Sequence, residues 1–148
     1  MTWRDDIVSV RVTGPADVRR AAEALHNFAV NTADMRVAPS HNIADKRTPV
    51  DAEGSILALD VFGWEDKAQA WWKNTRIALN SPITAACRYE SEPFWVNAEG
   101  FRTRQPNHYL KAIDLTNFET RAMTKAAIVV PVHLPFGQIG AVSFNPID

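Results

Sequence analysis

Two β-rich runs near residue 130 constrain this chain more than any other feature. Ala126-Ala127-Ile128-Val129-Val130-Pro131-Val132-His133-Leu134 and Gln138-Ile139-Gly140-Ala141-Val142-Ser143-Phe144 are separated only by Pro135-Phe136-Gly137. A link that short joins antiparallel neighbours, since a parallel crossover needs about a dozen residues or more. The runs therefore predict a β-hairpin. Pro131 has no N–H to give to a ladder, which predicts an edge or a bulge at that point.

The hairpin needs partners, and the rest of the chain offers helices. Residues 15–32 place Val18, Ala21, Ala22, Leu25, Phe28 and Ala29 on one face of an amphipathic helix. Ser81 ahead of Pro82 reads as an N-cap with proline at the first helical position, opening a helix through Ile83, Ala86 and Cys87. Thr116-Asn117-Phe118-Glu119 has the form of a capping box, with a helix expected to about Lys125. Glu65 to Thr75 is rich in helix formers. Ser55 to Phe62, bounded by Gly54 and Gly63, is expected to be a strand. Residues 38–54 read as a long surface connection that could hide a strand, and 88–108 as irregular. Asp6 to Val12 could be a short strand or a fraying leader. A central antiparallel sheet with helices on its faces buries all of these most economically, which makes the fold class α+β.

Composition narrows the function classes. The 148 residues suit one domain, 1–148, and 16 Lys plus Arg against 17 Asp plus Glu leave a formal charge of −1. Such a balance lacks the basic footprint of a nucleic-acid binder. No signal peptide is visible, and the longest apolar stretch, 126–132, is too short to span a bilayer. A cytoplasmic location without membrane attachment is the expectation. Cys87, the one cysteine, excludes an internal disulfide and a cysteine-rich zinc site, and reads as a buried small hydrophobe. His26, His41, His108 and His133 are scattered. His41 and Asp45 share helical spacing in what reads as a loop, and His133 reads as a hairpin-end surface residue. No GxSxG elbow, phosphate loop or HExxH occurs. The chain is therefore expected not to be an enzyme and to hold no metal or cofactor.

Aromatic residues are dense. Of five tryptophans, Trp64, Trp71, Trp72 and Trp95 fall close together, with Phe62, Tyr89, Phe94, Phe101 and Tyr109 around them. They can fill a core or line a small-molecule pocket, where indole and phenol groups orient a ligand. Asn80, Ser81, Arg88, Tyr89 and Ser143 are the polar candidates beside them.

The order Trp71-Trp72, Ala78-Leu79-Asn80-Ser81-Pro82, Glu92-Pro93-Phe94-Trp95, Ala127 to Val132, Phe136-Gly137 and Ser143-Phe144 resembles the autoinducer-binding domain of LuxR-type quorum-sensing transcription regulators. The resemblance covers most of residues 17–145. It implies an α-β-α sandwich akin to GAF and PAS sensors, with an acyl-homoserine lactone held between sheet and helices. Trp72 fits the family's second aromatic, a Tyr contacting the ligand's acyl amide region. The lactone-binding Trp falls on Ala68 by strict spacing, or on Trp71 with a shift. The family's acidic acceptor for the ligand amide is replaced by Ser81, or by Asn80 with a one-residue shift. Trp95 matches the downstream Trp within a residue, and Val129 stands where a Ser or Thr often precedes the strand proline. Losing a charged acceptor forfeits roughly 1.5–3 kcal/mol, so a divergent signal fits as well as a lactone. Tyr89, Phe101 and Ser143 complete the candidate pocket.

Family members continue into a helix-turn-helix that reads DNA, whereas this sequence stops at Asp148. The resemblance thus implies a ligand-sensing domain that meets DNA only through a module absent from this chain, and a homodimer. The other reading is a ligand-free GAF/PAS-like dimerisation or interaction domain, in which the aromatics fill a solid core.

Overall fold

A computed structural model describes residues 9–40, 42–44, 48–64 and 81–147. A short 3-10 turn, Pro15–Asp17, leads into helix α1, Val18–Ala33. Asp34 stops α1 in the left-handed conformation, a region that Asp tolerates better than most residues. Strand β1, Met35–Ser40, follows, and helix α2 spans Leu57–Asp60. Helix α3, Pro82–Cys87, precedes a hairpin of β2, Phe94–Asn97, and β3, Gly100–Thr103. A 3-10 turn at His108–Ala112 and helix α4, Phe118–Ala122, lead to β4, Ala126–His133, and β5, Ile139–Pro146.

These strands form one antiparallel sheet in the order β1-β5-β4-β2-β3, so the fold is α+β. The expected hairpin is there, closed at its turn by the Leu134 N–H donating to the Gln138 carbonyl at 2.8 Å. β2 pairs only with residues 126–129 of β4. At Pro131, β4 therefore has β5 on one side and no ladder to β2 on the other. The proline sits at a local edge inside an otherwise central strand.

Alternation along the strands sends side chains to two faces. Phe94, Val96, Ala127, Val129 and Ala141 share the first face, where α3, α4 and the 3-10 turn contribute Ala86, Cys87, Phe118 and Leu110 to one buried cluster. On the second face, Val37, Val142 and Phe144 meet Ala22, Leu25 and Ala29 of α1, together with Leu57 and Phe62. Helical segments thus pack on both sides of the sheet. No helix among the described residues is long and apolar enough to cross a membrane.

Three expectations are corrected. Residues 57–60 are helical, because Leu57, Ala58, Val61 and Phe62 recur at helical rather than alternating spacing. The stretch 88–108 contains the β2–β3 hairpin, whose tip is set by the Asn97 side chain accepting from the Glu99 N–H at 2.9 Å. The helix after Thr116 ends at Ala122, where Met123 turns left-handed, and Asn117 rather than Thr116 takes the N-cap position without a side-chain bond. Strand β1 begins before the expected surface connection, 38–54, and overlaps it only at residues 38–40. Residues 9–13 are not a strand; the expectations for Asp6–Val8 and for the helix at 65–75 lie outside the described residues.

Candidate functional site

The first sheet face brings together the largest share of the sequence-selected residues. Val129 is fully buried at its centre, with Phe94 of β2 and Ser143 of β5 as its cross-strand partners. Phe101 packs its ring against Phe94, centroids 5.9 Å apart at 60°. Above this floor, α3 starts at Ser81, whose side chain is buried and whose hydroxyl accepts from the Ile83 N–H at 3.2 Å. The hydroxyl therefore caps the helix, as the Ser-Pro pair predicts.

α3 is pinned at its other end too. The His133 ring meets the Cys87 carbonyl through Nε2 at 2.8 Å, so the end of β4 holds the last turn of the helix. Nε2 carries the proton in that bond, since a carbonyl only accepts. Burial pushes the Cys87 thiol up to about 12. A thiol held neutral and enclosed is a packing group, not a nucleophile.

Towards β1 the same face becomes polar. The Ser143 hydroxyl donates to the Ala38 carbonyl at 3.4 Å and accepts from Asn145 Nδ2 at 3.1 Å. Asn145 also reaches the carbonyls of Arg36, at 3.2 Å, and Ser143, at 3.3 Å. Asn145 is only 3% exposed, and its Nδ2 is committed to these three acceptors. Sequence reasoning missed Asn145; its position two residues after Ser143 on one strand was the available signal.

The other candidates lie elsewhere. Trp95 pairs with Ile128 and Arg102, and alternation sends all three to the second face. Tyr89 is exposed and stacks on Tyr109. Trp64 belongs to the second-face cluster, where its indole N–H donates to the Val37 carbonyl at 2.6 Å and its ring lies 5.3 Å from the Arg36 guanidinium. Trp71, Trp72, Asn80, His41 and Asp45 fall outside the described residues. The described members of the aromatic cluster are thus spread over two cores and the surface.

One further polar centre was not anticipated. Asp51 is nearly buried; its carboxylate accepts from the N–H groups of Ser55 and Glu53, each at 2.9 Å, and from Arg19 of α1 at 3.1 Å. The Ser55 N–H bond first, and the Arg19 guanidinium beside it, hold the carboxyl below the usual Asp range despite burial. This arrangement ties the loop before α2 to α1.

Among the described residues, no group of three His, Cys, Asp or Glu side chains is placed to hold a metal ion. The first face sets a closed apolar cluster beside the Ser143 hydroxyl and the Asn145 amide. No family model, curated protein or solved structure matches the chain.

Proposed function

We propose that the chain is a ligand-sensing domain resembling the autoinducer-binding domains of LuxR-type regulators, with a GAF/PAS-like α-β-α arrangement. The observation that carries this reading is the pair Ser143 and Asn145 beside Val129 on one buried sheet face. An Asn side-chain oxygen and a Ser hydroxyl can each accept from a ligand amide N–H. Asn145 Oδ1 supplies the acceptor that Ser81, engaged as a cap, gives up. The apolar residues around Val129 receive the acyl or aryl portion.

Ligand binding to the folded state stabilises it by about 2.7 kcal/mol at a hundredfold excess over Kd. A thermal-shift panel of acyl-homoserine lactones and aryl analogues tests the reading. A saturable rise in Tm that Asn145→Ala abolishes supports it. No rise with any compound, together with no co-purified small molecule by native mass spectrometry, overturns it.

The second reading, a ligand-free GAF/PAS-like interaction domain, draws on the closed packing of Val129 among Phe94, Leu110 and Phe118. There the Ser143–Asn145 pair only fastens β5 to β1.

A further inference from the structure

β1 is the longer of the two outer strands, six residues against four in β3, and among the described residues no strand pairs with its outer side. The phase of its ladder follows from the Ile147 N–H, which donates to the Asp34 carbonyl at 3.4 Å. Counting in twos from that hydrogen-bonded pair, Arg36, Ala38 and Ser40 turn their backbone groups towards β5. Met35, Val37 and Pro39 turn theirs outward. An outward row of backbone donors and acceptors is a template for another strand.

Two groups in that row are closed to a newcomer. Pro39 has no N–H. The Val37 carbonyl already accepts from the Trp64 indole N–H at 2.6 Å, so a strand arriving at the middle of β1 must first displace the indole. The ring is held in place from several directions. Gly63, at φ +76°, makes the left-handed turn after α2 that a side chain would resist, and the Trp64 N–H returns to the Ala58 carbonyl at 2.9 Å. The Arg36 guanidinium lies 5.3 Å from the ring centre, a distance suited to attraction between a cation and an aromatic face. Arg36 alternates with Val37 and so leaves the first face, whereas Trp64 packs with the second-face cluster. The ring therefore sits across the edge of the sheet.

We infer that Trp64 guards the edge of β1: its indole N–H, seated on the Val37 carbonyl, closes a strand-pairing surface that otherwise accepts β1 of a second copy of this chain. The second copy is the occupant because two β1 strands running antiparallel about Val37 offer each other the same outward groups, which makes the contact self-complementary. A phenyl ring at position 64 could also meet Arg36 and the second-face cluster. What the indole adds is a donor aimed at the outward carbonyl of the edge strand. The short edge strand β3 carries a different safeguard, the exposed Arg102. The inference is independent of the ligand reading.

Trp64→Phe, which keeps a ring but loses the donor, and Trp64→Ala, which clears the ring as well, supply the test. Sedimentation equilibrium should show both variants associating as concentration rises, Trp64→Ala the more strongly. Amide exchange at Met35 and Val37 should slow by about tenfold or more between dilute and concentrated variant, with no such dependence in the unmodified chain. A purely structural role for Trp64 would lower Tm without producing this protection. The unmodified protein gives a reading that needs no variant to fold: its Trp64 indole N–H should exchange about tenfold or more slowly than a free indole. Variants that associate no more than the unmodified chain, or that gain protection away from residues 35–39, would overturn the inference. So would rapid exchange of the Trp64 indole, or pairing of the unmodified chain through residues 35–39.

Discussion

The two core clusters divide the chain as well as the sheet. The cluster on the first face draws, apart from Ile43, on residues 83–141. The cluster on the second draws on residues 18–64 plus Val142 and Phe144. The difference lies in self-sufficiency. The later residues bring their own strands and helices, whereas the earlier ones bring a long helix and one strand, and borrow their wall from β5. β5 serves both, with Ile139 and Ala141 on one side and Val142 and Phe144 on the other. The second face is also less completely covered, for Ile128 and Val132 on β4 remain 38% and 44% exposed.

The strongest way to break this comparison is to empty each cluster in turn. Phe118→Ala and Phe62→Ala remove buried rings and should each cost about 3–5 kcal/mol in denaturant unfolding. Because β5 is common to both clusters, each variant should still unfold in a single transition. An early separate transition in Phe62→Ala, with the sheet signal retained, would show the clusters to be independent.

A smaller effect is expected at Ser81. Loss of its cap in Ser81→Ala should lower the stability of the unliganded protein by about 0.5–2 kcal/mol, read as Tm. If the unliganded protein is unchanged and lactone response falls instead, the hydroxyl serves ligand rather than helix.

The second cluster has an acid-sensitive clasp. Asp51 has a folded pKa below its ordinary 3.8, so its contribution is complete above that value and is lost as pH falls through the lower folded one. Acid titration of stability should therefore show a component below about pH 4 that Asp51→Ala removes. An unchanged acid profile would detach Asp51 from the packing of α1.

Cys87 sharpens the comparison without altering stability. With its thiol raised to about 12 and buried, it should resist iodoacetamide at neutral pH and react only at the rate at which the first-face cluster opens. Rapid labelling of the native protein would show that cluster to be looser than its packing indicates.

Local signals were legible in the sequence wherever they were sufficient. The Pro-Phe-Gly link, the Ser81–Pro82 cap and the apolar stripe of α1 each specify their element without help from distant residues. β1 was hidden because Pro39 and the polar residues around it resemble a loop, and only pairing with β5 makes Met35–Ser40 a strand. The helix at Leu57 was misread since four residues of Ile, Leu and Ala satisfy either period. At the site, closeness in sequence misled. Phe94 and Trp95 are neighbours whose side chains leave on opposite faces, and Asn145 became visible only through its bonds to Ser143 and Arg36.

The pairing of β1 with β5 has a kinetic side. Ala38 and Ser143 touch across 105 residues, so β1 has no ladder partner until almost everything after it has been made and placed. Contacts that distant are slow to form, because the intervening chain must be closed before the pairing rewards it. Residues 81–147 can begin to organise around the β4–β5 hairpin, while α1 and β1 wait. During that interval the flank of β5 that β1 will cover presents free N–H and C=O groups to any other strand. Refolding at high concentration should therefore lose material through this flank first, and the docking of β1 is the step that ends the risk.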